Sequence, residues 1–430
     1  MNTQKKWLIV AHCMNMDGQA ASHHVSDKLP HLRKLGIEPI LLSARSGLKD
    51  NNYEHYQVFS IAPSGLKFEC RHFLRNKIRN KWLCETLIFA ITLLILPFYL
   101  VEKIFIHLDS QWSWCISAYI KARSLVRANK IDMIYVLGGS SSGFLAAHWL
   151  SKSSGIPWMA ECFDPMVSMH WKRSRSAYKW NLWIERLICT HAHAVVWYTS
   201  GAREEALLRN PQLENRGFVV RPGMSPPNFN GIEYKKRDKI RFCYFGGLSE
   251  ERSLATFLRS LSGVISSCPQ FTDLIEVHTF GGIWDDETQG VARLLPKEMV
   301  LCHGRLEYNS VLKKSGRQQV LEEMKKADFL ILIHGQGQIC NLYIPSKTYE
   351  YIWSKRPIFL LTPSPSEWTE LLDQQEHLII DQNKLEDIEA GLLQAIKNWH
   401  SSLLEDCTLT RPFSAEDATK TIIELSSVLQ

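Results

Sequence analysis

Short runs of consecutive apolar residues recur along this chain, and a loop and a helical stretch follow most of them. The first run is Trp7 to Ala11, and later runs in the first half include "PILLSA", "IDMIYVLGG", "IPWMAECFD" and "AHAVVWYTS". Continuous apolar runs are typical of parallel strands that are buried on both faces of a sheet. A chain that alternates such strands with helices is expected to form a doubly wound α/β domain.

The pattern stops once and then starts again, which predicts two domains. The segment "RPGMSPPNFNGIEYKKRD", Arg221 to Asp238, contains three prolines and two glycines and has no apolar periodicity. We therefore expect an N-terminal domain over 1–224, a linker over 225–238, a second Rossmann-like domain over 239–412, and a C-terminal helix over 413–430 that packs back on the N-terminal domain. Facing each other, two such domains would place the carboxyl ends of their strands, where open α/β sheets bind ligands, across a cleft.

Composition narrows the functional classes only a little. The chain has 430 residues, 45% of them hydrophobic, and a net charge of +6, which is modest for this length and does not indicate a nucleic-acid-binding protein. Eleven cysteines occur without a C-x-x-C pair, which favours a reducing compartment. The N-terminal "MNTQKKWLIVAHC" has a short apolar run that fits a first strand better than a cleavable signal peptide. These features predict a cytoplasmic protein.

Three sequence stretches exclude common cofactor and metal sites. The loop "GGSSSG", Gly138 to Gly143, has the spacing of an ATP phosphate loop, but Phe144 and Leu145 stand where that loop needs Lys and Ser or Thr. The turn after the first strand lacks the G-x-G-x-x-G pattern of NAD-binding domains. The acidic "WDDE", Trp284 to Glu287, is interpreted as an exposed loop. We expect neither a cofactor nor a catalytic metal.

The stretch "FGGLSEERS" has the features of a phosphate-binding turn. A strand ends at the paired glycines Gly246 and Gly247, and Arg252 follows near the start of a helix. Backbone N–H groups and a guanidinium together suit a phosphate. An ordinary turn is the alternative.

The stretch "IPSKTYEYIWSKRPIF" places a lysine at the wrong end of a helix. Pro345 and the N-cap candidate Ser346 put Lys347 in the first turn, at the positive end of the helix dipole. That position costs roughly 0.3 to 1 kcal/mol unless an anion lies nearby. Glu350 follows on the same helix face. The lysine therefore either holds an anionic ligand or forms an exposed ion pair of little energetic value.

Together these stretches resemble the retaining glycosyltransferases of family 4, which have the GT-B fold. "IPSKTYEYIWSKRPIF" is close to the family's I-P-S-K-x-x-E-Y segment, "FGGLSEERSLATFL" is like the first strand and turn of its second domain, and "RPGMSPPNF" is like its linker. In the first half, "HLDSQWSW" and "IPWMAECFDPMV" are similar to elements of one branch of the family, with Phe163 and Met166 in place of its Arg and Trp. The resemblance covers nearly the whole chain.

The resemblance implies roles for residues of the second domain. Glu350 corresponds to the glutamate that accepts hydrogen bonds from the ribose of the donor, and Arg252 and Lys347 to the basic residues that neutralise its diphosphate. The family often has a second glutamate seven residues before the first, where this chain has Leu342. We therefore assign the sugar contacts to the loop "HGQGQICN", through its residues Gly335, Gly337 and Asn341. His334 is alternatively a buried histidine at a strand end.

In the first domain, Asp164 occupies the position of the branch's aspartate at the end of a buried strand. The resemblance implies that it orients the sugar or the acceptor hydroxyl, or acts as a base; an aspartate that caps the loop before Pro165 is the alternative. Asp17 and Gly18 lie in the first glycine loop, where donor or acceptor would approach the backbone. A simple tight turn is the other interpretation of that loop.

By this resemblance the chain is a retaining, hexosyltransferase-type enzyme. It would move a sugar from a nucleotide-sugar to a lipid-linked saccharide in bacterial surface polysaccharide synthesis. A nucleotide-sugar epimerase and a non-catalytic partner subunit are the alternatives. The identities of the sugar, base and acceptor depend on loop shapes rather than on motifs.

The segment Cys70 to Leu108 predicts a membrane-docking insertion, at about 67–108. Five basic residues precede an uncharged apolar run from Leu87 to Val101; they are Arg71, Arg75, Lys77, Arg79 and Lys81. The apolar run reaches only about 22 Å, short of a bilayer core of roughly 30 Å, and Pro97 is expected to interrupt it. The strands at Trp7 and Met133 should also share one sheet, so the chain must return to the side it left. We expect peripheral binding at the inner face of the membrane, with a buried core helix as the alternative.

Overall fold

The computed structural model forms two compact units: unit 1 is Met1–Ser225 with Pro412–Gln430, and unit 2 is Pro226–Arg411. The described residues are 4–16, 19–78, 80–168, 174–229, 231–282, 284–307, 309, 311, 313–335, 339, 342–363, 369, 372, 376–401 and 414–428.

Unit 1 is built on a seven-stranded sheet in which all neighbouring strands are parallel. Its strands are β1 (Lys5–Val10), β2 (Ile37–Ala44), β3 (Glu54–Val58), β4 (Met133–Leu137), β5 (Trp158–Cys162), β6 (Ala194–Trp197) and β7 (Gly217–Val219). The order is β3-β2-β1-β4-β5-β6-β7, so the direction of winding reverses between β1 and β4. Ligands of open parallel sheets bind at the carboxyl ends of the strands beside such a switch point.

Helices cover both faces of this sheet. They are α1 (Ala20–Ser26), α2 (Leu29–Lys34), α3 (Pro63–Lys77), α4 (Lys81–Phe105), α5 (Trp114–Ala128), α6 (Ser141–Ser154), α7 (Arg175–His191) and α8 (Ser200–Arg209), with a 3₁₀ turn at Pro211–Arg216. One apolar cluster joins the sheet to α5, α6 and α7, and a second joins it to α1 and α2. The C-terminal helix α14 (Ala415–Val428) belongs to this unit and packs on α2.

Helices α3 and α4 follow β3 in the chain and pack together as a hairpin. The helix α4 has 25 residues and runs through Pro97 without a break. At 1.5 Å per residue its length is about 37 Å. The expectation that Pro97 interrupts the helix is therefore wrong, and the apolar run Leu87 to Val101, about 22 Å long, lies within a longer helix. Within the described residues, α4 is the one helix whose length and composition would suffice to cross a membrane.

The outward side of α4 is largely apolar, unlike the outward side of a helix that packs on a soluble domain. Its outward side chains are large and apolar; those with more than half of their surface exposed include Trp82, Phe89, Leu93, Leu94, Phe98, Leu100, Val101, Ile104 and Phe105. Its polar Thr92 and Tyr99 are partly buried, and Glu102 is buried. The alternative of a buried core helix is therefore excluded.

Unit 2 repeats the architecture with a six-stranded sheet, again parallel throughout. Its strands are β8 (Ile240–Phe245), β9 (Ile275–Phe280), β10 (Val300–Cys302), β11 (Phe329–Ile333), β12 (Ile358–Thr362) and β13 (Leu378–Asp381). Their order, β10-β9-β8-β11-β12-β13, puts the switch point between β8 and β11.

The helices of unit 2 complete its core. They are α9 (Ala255–Ser267), α10 (Asp286–Ala292), α11 (Gly316–Lys325), α12 (Lys347–Ser354) and α13 (Leu385–His400), with a 3₁₀ turn at Pro269–Phe271. The acidic stretch that the sequence suggested as a loop begins α10 instead, because Asp285 accepts a hydrogen bond from Thr288 N and caps the helix.

Candidate functional site

The loops after β8 and β9 approach each other closely at the carboxyl edge of unit 2. A side chain at Gly281 would lie 2.1 Å from the carbonyl oxygen of Gly246, and both glycines have positive φ, 155° and 146°. Gly246 N donates to Phe280 O at 2.9 Å, and Tyr244 Oη donates to Gly247 O at 3.1 Å. Beside Gly247 the space is open, since an added Cβ would meet nothing within 4 Å. The backbone of this loop is thus accessible to a ligand.

The loop after β11 brings a second predicted glycine next to the predicted arginine. Gly335 has φ of 96°, and a Cβ added there would lie 3.6 Å from Arg252 Cγ and 3.2 Å from Tyr343 Oη. Arg252 is exposed, and its backbone turns back to Ser249 through a 2.8 Å hydrogen bond. Arg252 and Gly335 therefore meet at the switch point between β8 and β11.

The helix α12 begins at Lys347, and a buried tyrosine ties it to the sheet. Tyr351 Oη accepts a hydrogen bond from Phe245 N and donates one to Ile331 O, both at 3.2 Å. Phe245 ends β8 and Ile331 lies in β11. These two hydrogen bonds fix α12 against the two strands that flank the switch point.

The lysine and glutamate of α12 form an ion pair, but not an exposed one. Lys347 Nζ lies 2.5 Å from Glu350 Oε2, and Arg317 Nη1 of α11 lies 2.6 Å from Glu350 Oε1. The side chain of Glu350 is only 7% exposed. Burial favours the neutral acid, but the two cations outweigh it and hold the pKa of Glu350 below its usual range. The interpretation as an exposed pair is therefore wrong.

Arg317 is the residue of this cluster that the sequence interpretation missed. It lies in the first turn of α11, after Ser315, whose hydroxyl caps the helix by accepting from Gln318 N. A cation in a first helical turn is unfavourable unless a nearby anion offsets it. A cation in the first turn of a helix drew attention to Lys347 in the sequence, and Arg317 has the same feature.

Other predicted residues lie at the edge or outside the described residues. His334 is fully buried, with Nε2 3.2 Å from Tyr343 O, as a strand-end histidine would be. Asp164 follows β5 and is exposed. Gly337, Asn341, Asp17 and Gly18 lie outside the residues that the structure describes. The roles assigned to all these residues stay predictions.

Close to Asp164, a buried polar cluster stabilises unit 1. The carboxylate of Glu161 on β5 accepts hydrogen bonds from Lys28 Nζ at 2.8 Å and Tyr198 Oη at 2.6 Å, and also from Tyr135 Oη. Glu161 has no exposed surface. A carboxylate so enclosed is suited to holding β4, β5 and β6 together, not to contacting a substrate.

Among the residues that the structure describes, no group of three or more His, Cys, Asp or Glu side chains is placed to hold a metal ion.

Comparison with known proteins identifies the fold. No protein-family model matches the sequence, and no curated protein matches it either. Among solved structures, HepE from Anabaena in complex with UDP superposes with a TM-score of 0.62 at 10% identity, over 99% of this chain and 100% of that one. Sucrose-phosphate synthase from Thermosynechococcus elongatus gives 0.61 at 12% identity, and trehalose 6-phosphate synthase from Burkholderia multivorans 0.61 at 10%, each over 99% of both chains. These proteins are GT-B glycosyltransferases, and the chain has the GT-B fold of two doubly wound α/β domains.

Proposed function

We propose that this chain is a glycosyltransferase that uses a nucleotide-sugar donor. The observation that carries the proposal is the buried carboxylate of Glu350, held between Lys347 and Arg317 at the edge of the unit 2 sheet. A carboxylate has about four lone-pair sites, so two cations leave capacity for the hydroxyls of a ribose. The two cations also fix its orientation before the donor binds.

The donor's diphosphate is assigned to Arg252, Lys347 and the glycine turn. The space beside Gly247 is open, and Arg252 meets Gly335 at the switch point. Negative charge grows on the diphosphate as the sugar departs, and preorganised cations stabilise that charge. No metal is needed for this arrangement, because the cations are side chains. Gly335, Gly337 and Asn341 would contact the sugar.

The proposed transfer retains the anomeric configuration of the sugar. The departing phosphate would take the proton of the acceptor hydroxyl, which leaves Asp164 to orient the acceptor. Asp164 follows β5, near the switch point of unit 1, and is exposed to an incoming group.

UDP-sugars are the first donors to test. HepE, a GT-B glycosyltransferase that resembles this chain in structure, has been crystallised with UDP-glucose. The similarity is one of fold, so the base and the sugar are left to experiment.

The acceptor is proposed to be a lipid-linked saccharide at an anionic membrane surface. The outer face of α4 is a continuous apolar strip, and exposed Arg71, Arg75, Lys77 and Lys81 lie on or beside the hairpin. Each basic residue near anionic lipid contributes about 1 kcal/mol. Arg79, the fifth basic residue of the prediction, lies outside the described residues.

The geometry of the hairpin favours lying on the membrane over crossing it. Cys84 near the start of α4 and Glu102 near its end are buried, and Glu102 accepts hydrogen bonds from Ser64 and Trp112. The strands β1 and β4 on either side of the hairpin in sequence pair directly, with Trp7 opposite Met133. A single crossing would place these paired strands on opposite sides of the bilayer. The protein is therefore proposed to be cytoplasmic and peripheral at the inner face.

A two-stage experiment tests the proposal. A thermal-shift screen of UDP-, GDP- and dTDP-sugars identifies the donor, because a ligand at 100 times its Kd stabilises by about 2.7 kcal/mol. Release of the nucleoside diphosphate is then followed with lipid extracts as the acceptor source. Labelled sugar that appears in the lipid fraction supports the transferase.

The outcomes separate the proposal from its alternatives. An epimerised sugar without transfer would show an epimerase. If no nucleotide-sugar stabilises the protein and Asp164→Asn and Lys347→Ala leave its function in cells intact, the chain is a non-catalytic subunit.

A further inference from the structure

One buried carboxylate connects the membrane-docking hairpin to the end of β1. Glu69 lies in α3 and has no exposed surface. Its Oε1 is 3.2 Å from His12 Nε2 and accepts from Ser60 Oγ at 2.5 Å, and its Oε2 accepts from Ser60 N at 2.7 Å. His12 follows β1 by two residues, so the contact joins α3 to the acceptor side of the unit 1 switch point.

The contact is an ion pair at neutral pH. Burial opposes the charged imidazole, but hydrogen bonds to Cys13 and Glu69 outweigh burial and raise the pKa of His12 to about 9. The imidazole also packs edge-on against Trp114, with ring centroids 5.2 Å apart. A buried ion pair resists separation because each charge would be left without a partner. The hairpin and the residues after β1 are therefore held at a fixed distance.

A second connection links the far end of the hairpin to the other side of the same switch point. Asp109 follows α4, and its Oδ2 accepts a hydrogen bond from Ser141 Oγ at 2.9 Å. Ser141 is the first residue of α6 and comes directly after the loop that follows β4. Its Oγ also accepts a hydrogen bond from Trp180 Nε1 at 2.9 Å. The residues after β1 thus contact the hairpin itself, and the start of α6, after β4, contacts the segment that follows the hairpin.

We propose that Glu69 is a positioning residue, which transmits docking of the α3–α4 hairpin on an anionic lipid surface to the residues after β1. The inference rests on the membrane docking in the proposed function. It assigns to that docking an effect on the carboxyl edge of the unit 1 sheet, where the acceptor is proposed to bind. A hairpin immobilised by lipid restrains α3, and the Glu69–His12 pair passes the restraint to residues 11–16.

The test measures amide hydrogen exchange in residues 11–16 with and without vesicles of phosphatidylcholine and phosphatidylglycerol. We expect the vesicles to slow exchange in this segment about threefold or more in the wild type. In Glu69→Gln we expect equal vesicle binding by flotation but no slowing. Glu85→Gln is the matched control, because Glu85 lies on the same hairpin in an exposed ion pair with Arg75, 3.0 Å apart. It should bind the vesicles at least as tightly as the wild type, since it leaves Arg75 unpaired, and it should keep the slowing of exchange.

The comparison with and without vesicles distinguishes transmission from a structural role. A merely structural loss in Glu69→Gln would speed exchange in both conditions and leave the vesicle effect in place, which would overturn the inference. Vesicle binding by the wild type without slowed exchange would also overturn it, and would leave the proposed docking intact. Absence of vesicle binding would refute the docking and the inference together. Should Glu69→Gln fold poorly, His12→Gln removes the same pair from its other end and must give the same loss of slowing.

Discussion

At the scale of single residues, Glu350 shows how a buried charge can be prepared for a ligand. Three charged groups meet there, and the two cations exceed the one carboxylate in number. An anionic ligand beside the cluster would balance the excess positive charge. The misplaced lysine at the start of α12 is therefore only partly explained by its ion pair with Glu350.

The first prediction concerns the proposed diphosphate cations. The double substitution Arg252→Ala, Lys347→Ala is expected to lower kcat by about 100-fold or more, since loss of one preorganised charge-stabilising donor commonly costs that much. Donor KM should change less, because charge on the diphosphate develops towards the transition state. Lys384→Ala, an exposed lysine of the same unit, is the control. Near wild-type turnover in the double variant would refute the donor-site assignment.

The second prediction concerns Arg317. Arg317→Gln should weaken binding of the nucleoside diphosphate about tenfold, because a hydrogen bond to a charged group contributes about 1.5 to 3 kcal/mol and Glu350 loses one of its two anchors. Titration calorimetry measures the change. Arg259→Gln is a matched control, since Arg259 also pairs with a glutamate at 2.6 Å but on the exposed surface of α9. Equal affinities in the two variants would show that Arg317 does not support the site.

The third prediction is a pH dependence of stability from His12. Its pKa is raised from 6.5 to about 9 in the folded protein, so the pair stabilises fully below pH 6.5 and loses that contribution as pH rises through 9. The difference corresponds to on the order of 3 kcal/mol. Urea unfolding at pH 6.5 and pH 9.5 should show a gap between the wild type and His12→Gln that narrows at the higher pH. A gap that is constant with pH would contradict the assignment.

Candidate residues with a local sequence signature could be selected from the sequence, and contacts between distant residues could not. Lys347 and Gly246 were selected because a helix start and a paired-glycine turn have local signatures, and their roles stay predictions. Arg317 and Glu350 are 33 positions apart, and His12 and Glu69 are 57 apart. Such pairs are set by the packing of helices on the sheet, which no short stretch of sequence encodes.

At the scale of secondary-structure elements, α4 is the feature that soluble packing does not explain. A helix on a soluble domain buries its apolar stripe and exposes its polar one. Here the exposed side is largely apolar. The buried Glu102 accepts hydrogen bonds from Ser64 N and Oγ, at 2.8 and 2.5 Å, and from Trp112 Nε1 at 2.7 Å. The carboxylate thereby also caps the N-terminus of α3. The hairpin is fixed from within and leaves its apolar face outward.

The fourth prediction tests this face by flotation with anionic vesicles. Replacing the four described basic residues of the hairpin by glutamine should lower partitioning at least about 100-fold, at about 1 kcal/mol for each residue. The four are Arg71, Arg75, Lys77 and Lys81. A control replaces four exposed basic residues of unit 2, namely Arg259, Lys297, Lys384 and Lys397, and should bind as the wild type. Equal losses in both variants would mean that net charge, rather than the hairpin, drives binding.

The elements that the sequence predicted best were the central strands. Their runs are apolar throughout because both faces are covered by helices. The edge strand β3 has the sequence "EHYQV", which lacks that signature, and it was missed. The continuity of α4 was also missed, since proline disfavours a helix interior without excluding it.

At the scale of the whole molecule, two parallel sheets with their own apolar cores explain why the fold was predicted correctly. Each sheet has a reversal of winding, at β1 and β4 in unit 1 and at β8 and β11 in unit 2. The functions proposed for the two edges differ, with donor binding in unit 2 and acceptor and membrane binding in unit 1. Because the two sites are proposed in different units, we expect a nucleotide to protect unit 2 and anionic vesicles to protect unit 1.

The fifth prediction follows from that division. A nucleoside diphosphate at 100 times its Kd should stabilise by about 2.7 kcal/mol, and hydrogen exchange should locate the added protection in 226–411. Anionic vesicles should protect the hairpin and residues 11–16, which belong to unit 1. A chain with two cores need not unfold in one step, so protection is compared peptide by peptide instead of from a single midpoint. Glu350→Gln should reduce the nucleotide effect and leave the vesicle effect unchanged. Protection by the nucleotide confined to unit 1 would place the donor in the wrong domain and refute the proposed division.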